Sequence, residues 1–379
     1  MRIPNIMTPG PTQVRENVRL ARALHTTNPD IDDQFFEFYK ETCDEIGKFL
    51  KTQNEIRILC GEGILGLEAA CASLTEPGDR VLVIDNGIFG EGFSDFVKMY
   101  GGEVIFFKSD RTKSIDIEEL KNFLEKDNNF RYATIVHCDT PSGVFNDIKK
   151  ICPLLKEKGI MTVVDSVAAM GGEEIRVDEW QIDIAIGGSQ KCISAPPGLT
   201  LVSISDDAFV AMKNRKLPIA SYYCNLLIWK NYYEEKYFPY TMPISDINGL
   251  RVAMDNILKE GIENMVKRHK VIAKSVRKAI KAAGLELYLK EGYANTVTAV
   301  NLPESVDEKT LRKYMAEKFN VLIGGSLGYL NGLVIRIGHM GENASVDKVS
   351  YTLMALQYTL EHLGFQCKAD MVEVFLRDL

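Results

Sequence analysis

Residues 55–107 read EIRILCGEGILGLEAACASLTEPGDRVLVIDNGIFGEGFSDFVKMYGGEVIFF, and their pattern decides the fold. Three β-rich runs, EIRILC (55–60), RVLVIDNG (80–87) and EVIFF (103–107), alternate with two helical patterns, LGLEAACASL (65–74) and GFSDFVKMY (92–100). Parallel strands cannot be joined by a tight turn, so a strand, helix, strand rhythm is the syntax of an α/β protein. The rhythm continues through YATIVHCD (132–139), MTVVDSV (161–167), IDIAIGG (182–188) and LTLVSIS (199–205), with KKICPLLKEKG (149–159) as a crossover helix. The expectation is one large, mostly parallel sheet with helices on both faces.

The character changes at GIENMVKRHKVIAKSVRKAIKAAG (261–284), a long amphipathic helix closed by Gly284. Strand-like TVTAVNL (296–302), the helix EKTLRKYMAEKF (308–319), strand-like GLVIRIG (332–338) and a last helix from near Ser345 follow. The chain therefore divides into an N-terminal segment (1–20), a large domain (21–260) and a small C-terminal α+β domain (261–379). No repeat or low-complexity linker interrupts it.

With 379 residues, 46% hydrophobic and 26% charged, the chain has a globular composition and room for a large core. A net charge of -7 with scattered Lys and Arg gives no footprint for nucleic acid. MRIPNIMTPG lacks the layout of a secretory signal, and no apolar run reaches the ~20 residues of a membrane helix, so a cytoplasmic protein is expected. Eight cysteines without a CxxC pair suggest neither zinc nor a redox couple, only reduced thiols used as small core residues. No metal site is expected.

Gly61-Glu62-Gly63-Ile64-Leu65-Gly66 is a GxGxxG between strand and helix, and Asp85 ends the next strand where a dinucleotide fold would place its ribose ligand. Physically, such a loop offers only backbone N–H groups and a helix N-terminus, which suit many phosphate ligands or a plain tight turn. A second constellation is more informative. Asp165 ends MTVVD and Lys191 follows IDIAIGG, so both fall at carboxyl ends of strands, which face the ligand crevice of an open α/β sheet. Asp at a strand end is commonly a turn or cap, and Lys commonly a solvated charge. Yet Lys191 lies in GGSQKCISAPPG, unlike a helical surface, and Asp165 precedes SVAAMGG rather than a hairpin signal. Together they suit vitamin B6 chemistry: the lysine forms an imine with the aldehyde, and the aspartate keeps the pyridine nitrogen protonated.

The motifs TPGPT (8–12), GEGILGLEAACASLTEPGDRVLVIDNGIFGEGF (61–93), HCDTPSGV (137–144), VVDSVAAMGG (163–172), VDEWQIDIAIGGSQKCISAPPGL (177–199), YFPYTMP (237–243) and RIGHMG (336–341) occur in this order. Through them the chain resembles, nearly end to end, the class V, fold-type-I aminotransferases, which include the alanine:glyoxylate and serine:glyoxylate enzymes. The resemblance implies a seven-stranded sheet, pyridoxal 5'-phosphate as cofactor, and a homodimer with shared active sites. It makes Lys191 the Schiff-base lysine and proton shuttle, and Asp165 the partner of the pyridine nitrogen. It places Phe89 on the coenzyme ring, Thr140 at the ring oxygen, and Glu62, Gly63, Ile64, Gln190 and a partner's Thr241 around the phosphate. Arg336 matches the clamp for a substrate carboxylate, a role that suits a guanidinium alternating out of an apolar strand. Gly10 becomes a backbone contact to the substrate, and His339 a structural neighbour.

The departures from the family gather at the phosphate. Glu62 stands where a small polar residue is common, Ile64 near a usual hydroxyl or histidine, and Phe238 in place of a tyrosine. A carboxylate about 5 Å from a phosphate dianion would cost on the order of 5 kcal/mol at an effective dielectric near 20. One branch, pyridoxamine:pyruvate aminotransferase, uses the B6 compound as an unphosphorylated substrate, and GEGILGLEAACASL, FGEGF, HCDTPSGV and SDINGLRVAMD resemble that branch. Free pyridoxal or pyridoxamine is therefore the alternative to pyridoxal phosphate. Two further alternatives share the scaffold. A cysteine desulfurase would carry a histidine where Gln190 stands and a loop cysteine unlike Cys367; a silent binding protein would have no use for the Asp165, Lys191 and Arg336 set. No second cation is evident for a side-chain carboxylate. The donor is accordingly expected to be small, such as alanine, serine or glycine, with pyruvate or glyoxylate as acceptor.

Overall fold

A computed structural model describes residues 3–379. The seven expected strands are β1 (Glu55–Cys60), β2 (Arg80–Asp85), β3 (Glu103–Lys108), β4 (Tyr132–Val136), β5 (Met161–Asp165), β6 (Ile184–Gly188) and β7 (Leu199–Ile204). They form one sheet in the order β1-β7-β6-β5-β4-β2-β3. All neighbours run parallel except β7, which is antiparallel to both β1 and β6. That exception follows from the connection. β6 reaches β7 through the short SQKCISAPPG turn with no crossover helix, and a strand returning directly to its neighbour must reverse direction. Every residue of β4, β6 and β7 is buried, as expected of strands covered on both faces.

The covering helices include α1 (Asp33–Leu50), α2 (Gly63–Leu74), α3 (Ile88–Met99) and α4 (Ile148–Glu157). α2 lies close against the sheet: a Cβ on Gly66 would come within 2.4 Å of Thr200 Cγ2 and 2.7 Å of Ile186 Cγ2. α3 begins a turn earlier than its apolar pattern suggests, at Ile88 instead of Gly92. A carboxylate from another element caps it there, a contact invisible in the local sequence.

α5 (Ile244–Glu260) runs through Gly261, at φ +88°, into the long helix α6 (Ile262–Ala282). Beyond it, β8 (Glu286–Leu287), β9 (Val297–Asn301) and β10 (Val334–Gly338) form a three-stranded antiparallel sheet. α7 (Glu308–Phe319), α8 (Val346–His362) and a final helix, α9 (Met371–Arg377), belong to this part of the chain. There are two cores. One gathers the large sheet and its helices, and the other joins Met7 to apolar side chains between Ile272 and Phe375. Met7 arrives there because Asn5–Ile6 pairs in parallel with Val321–Leu322.

All eight cysteines are free; six are buried, Cys367 is half-buried, and Cys60 is exposed at the end of β1 instead of packed in a core. Among the described residues no helix is long and apolar enough to cross a membrane, and no cluster of side chains has the makings of a metal site.

Candidate active site

The carboxyl ends of β4, β5 and β6 and the start of α2 enclose a cavity of about 100 Å³. It brings together Glu62, Gly63, Ile64, Phe89, Thr140, Asp165, Gln190 and Lys191, eight of the nine residues expected to hold the coenzyme. Gly10 and Arg336 adjoin it through Lys191 and Thr140. Thr241 does not line it; this residue is exposed, and its hydroxyl donates to Asp30 at 3.3 Å.

Lys191 donates from Nζ to the carbonyl of Pro9 at 2.7 Å. Burial lowers the pKa of its amine, the positive charge of Arg336 lowers it further, and Asp165 opposes both. The shift is toward the neutral, nucleophilic form. The N-terminal strap that supplies Pro9 is pinned beyond it by Thr12, which donates from N to Gln190 O at 3.0 Å and from Oγ1 to Lys191 O at 2.9 Å. Between the pins, Gly10 sits at φ +94°, and a Cβ there would lie 2.5 Å from Lys191 Cδ and 2.6 Å from Nζ. The φ strains any other residue, and a Cβ would push the end of the Lys191 side chain out of its place.

Asp165 is buried and accepts one backbone hydrogen bond, from Val167 N at 2.9 Å. Burial raises its pKa to about 7, against the pull of that bond and of Lys191. A carboxyl so poised gains from a protonated ring nitrogen beside it. Behind it, His137 donates its backbone N–H to Asp165 O at 2.8 Å, and its Nδ1 pairs with Ser166 Oγ at 3.0 Å.

Arg336 projects from β10 with Nε bonded to the carbonyl of Gly325 and Nη1 donating to Thr140 O at 3.1 Å. It forms no ion pair among the described residues, although burial pulls its pKa down to about 10 and the guanidinium remains charged at neutral pH. A half-buried cation held by two carbonyls, with Nη2 free of any protein acceptor among the described residues, suits an incoming carboxylate. His339, by contrast, has both ring nitrogens engaged, with Thr298 Oγ1 at 2.8 Å and Asn295 O at 3.0 Å.

Glu62 is the N-cap of α2. Its Oε1 accepts from Ile64 N at 3.1 Å, and its Oε2 accepts from Gln190 Nε2 at 3.0 Å. Of the three anion donors left after the family's others are discounted, the helix N-terminus, Gln190 and Thr241, this side chain engages one N–H of the first and the amide of the second. The Ile64 side chain offers no donor and is exposed, and Phe238 stacks on Phe36 with centroids 4.4 Å apart inside an aromatic cluster. The glycines of the GxGxxG answer to packing: a Cβ on Gly61, Gly63 or Gly66 would strike Leu65, Val167 or Thr200. β2 is not next to β1 in the sheet, and Asp85 is buried and paired with Arg111 at 3.2 Å, so the dinucleotide reading fails on topology and on its ribose ligand.

Two functional contacts lacked any sequence signal. Pro9 acts through a backbone carbonyl, which no side-chain pattern marks. Asp139, within HCDTPSG, is a fully buried carboxylate that accepts from Phe89 N, 50 residues away in the chain; a charge between Cys138 and Thr140 at a strand end was the one available hint.

A sequence model described as Aminotransferase class-V matches residues 13–328. An uncharacterized aminotransferase of Methanocaldococcus jannaschii is 36% identical over 97% of this chain and 96% of its own. A pyridoxamine–pyruvate transaminase of Mesorhizobium japonicum is 35% identical over 94% of this chain and 92% of its own. The crystal structure of ureidoglycine–glyoxylate aminotransferase from Bacillus subtilis superimposes with a TM-score of 0.95 at 28% identity, over 100% of this chain and 98% of that one. The geometry of Lys191, Asp165 and Arg336 and these end-to-end similarities agree that the chain belongs to the class-V aminotransferases and is a transaminase.

Proposed function

We propose that the enzyme transfers an amino group between a B6 amine without a phosphate, of the pyridoxamine type, and a small 2-oxo acid such as pyruvate or glyoxylate. The family generally works with pyridoxal phosphate, so the reading turns on one observation. Glu62 places its carboxylate on the N–H of Ile64 and on Gln190, filling the seat an anionic phosphate would need. The similarity to a pyridoxamine–pyruvate transaminase, over most of both chains, supports the same choice.

The remaining residues fit a B6 ring. Phe89 offers an aromatic face, Thr140 a hydroxyl, Asp165 a carboxylate for the ring nitrogen, and Lys191 an amine for the aldehyde. Once bound, such a ring draws electrons from the carbon that carries the amino group and makes its proton removable. Lys191, with its pKa lowered, takes and returns that proton at Nζ. Asp165 keeps the ring nitrogen charged, and Arg336 orients the oxo acid through its carboxylate. Pro9 O holds the lysine amine whenever the B6 compound has left, an event that recurs in each cycle if that compound is a substrate. The site is completed across a homodimer: Thr241 is unused by the cavity of its own chain, and Leu20, Leu24 and Ile31 are exposed apolar side chains. The competing reading, bound pyridoxal phosphate with alanine or serine as donor, requires Glu62 to leave its two donors.

The test is to supply pyridoxamine with pyruvate or glyoxylate, and separately pyridoxamine phosphate or alanine as donor, and to follow the aldehyde and amino acid formed. Pyridoxal with alanine or glycine is the expected product pair. Turnover confined to alanine or serine with added pyridoxal phosphate would overturn the reading.

A further inference from the structure

Asp139 is a buried carboxylate that none of the steps above employs. It stands at the start of a tight hairpin, where Cys138–Asp139 pairs with Val144–Phe145 and Asp139 O accepts from Gly143 N at 2.7 Å. Its Oδ1 accepts the backbone N–H of Phe89 at 2.9 Å, and its Oδ2 accepts the hydroxyl of Ser142 at 2.7 Å. α3 depends on the first of these bonds. The helix's own N-cap is Gly87, which has no side chain to offer, and a Cβ there would fall 2.3 Å from Asp139 Cγ. The cap that sequence logic expects at residue 87 thus comes from residue 139.

The same hairpin carries Thr140. Its carbonyl accepts from Arg336 Nη1 at 3.1 Å, and the next residue, Pro141, accepts at its carbonyl from Ser326 Oγ at 2.9 Å. One buried carboxylate therefore sits between the first turn that bears Phe89 and the hairpin that seats Arg336. We propose that Asp139 is a positioning residue that sets two subsites together, the ring subsite through the Phe89 N–H and the carboxylate subsite through the Thr140 hairpin. This rests on the roles given to Phe89, Thr140 and Arg336 under the proposed function.

Asparagine can keep both bonds, since its oxygen accepts from Phe89 N and its amide donates to the hydroxyl of Ser142, whereas alanine keeps neither. The experiment is steady-state kinetics of wild type, Asp139→Ala, Asp139→Asn and Ser142→Ala, varying each substrate in turn. The wild type is measured first, with whichever amine and oxo acid it turns over. Failure to use a B6 amine then counts against the proposed function, while Asp139 is still read on the accepted pair. Asp139→Ala should raise KM for both the amine and the oxo acid by about tenfold, and Asp139→Asn should return both to within about threefold of wild type. A variant that merely folded less well would lose apparent kcat at unchanged KM, so the split separates positioning from stability. Unchanged KM values in a folded Asp139→Ala, or an asparagine variant as impaired as the alanine one, would overturn the proposal. If Asp139→Ala yields no folded protein, Ser142→Ala reads the same link: a rise of about threefold in both KM values supports it, and no rise in either overturns it.

Discussion

Asp165 and Lys191 respond to the same burial in opposite ways, and both are pushed toward the neutral form. The shift of Asp165 has a consequence for stability. Its pKa is about 7 in the folded chain, against an unfolded value near 3.9, so the folded state binds the extra proton between those limits. The stabilisation from that proton is fully present below about pH 4 and is lost as pH rises through 7. Asp165→Asn should therefore melt a few degrees above wild type at pH 8 in the free protein, with the gap closing toward pH 4, while turnover is lost. A pH-independent difference in Tm would contradict the shift. Arg336→Ala should lower kcat/KM for the oxo acid by roughly a hundredfold, because a desolvated charge-assisted pair contributes about 3 kcal/mol. An unchanged value would place the clamp elsewhere. Lys191, Asp165 and Arg336 were legible because charged residues stand out among apolar strands and small-residue turns. Asp139 and Pro9 were not, since each acts on a residue far away in the chain.

The elements themselves were largely written in the sequence. Uninterrupted apolar runs fixed the strands of the large sheet, and even the reversal at β7 follows from the short turn that precedes it. What local patterns could not carry was pairing between distant segments: the strand order, the parallel contact of Asn5–Ile6 with Val321–Leu322, and the early start of α3. The glycines of two helices make the distinction measurable. Gly66 of α2 faces Thr200 and Ile186 at overlapping distance, whereas a Cβ on Gly92 of α3 would meet nothing within 4 Å. Gly66→Ala should destabilise the protein by about 1–3 kcal/mol in urea unfolding through overpacking. Gly92→Ala should be neutral or gain up to about 1 kcal/mol through helix propensity. Equal effects of the two would mean that α2 does not approach the sheet this closely.

At the scale of the whole molecule, both parts of the chain and the N-terminal strap meet at Lys191, and a second copy is proposed to complete the site. Ile31, 79% exposed beside the Asp30 that accepts from Thr241, is an apolar residue that such an assembly would cover. Sedimentation should give twice the chain mass for wild type, and Ile31→Asp should weaken the dimer and the activity together; a fully active monomer would contradict shared sites. Glu62 was legible as a departure from the family, but the direction of its side chain was not, and that direction is what separates a B6 substrate from a B6 coenzyme. On the function proposed, its carboxylate fills the phosphate seat. Serine at this position would still cap α2, so Glu62→Ser removes the charge without removing the cap. The decisive measurement is a titration of wild type and Glu62→Ser with pyridoxal and with pyridoxal phosphate, followed by the absorbance of the bound aldehyde. Wild type should prefer pyridoxal, and the variant should bind the phosphate form at least ~10-fold more tightly, with pyridoxal nearly unchanged. Screening at the open mouth of the cavity will cut the ~5 kcal/mol repulsion well below its full value. Equal affinity of the two proteins for pyridoxal phosphate would contradict the account.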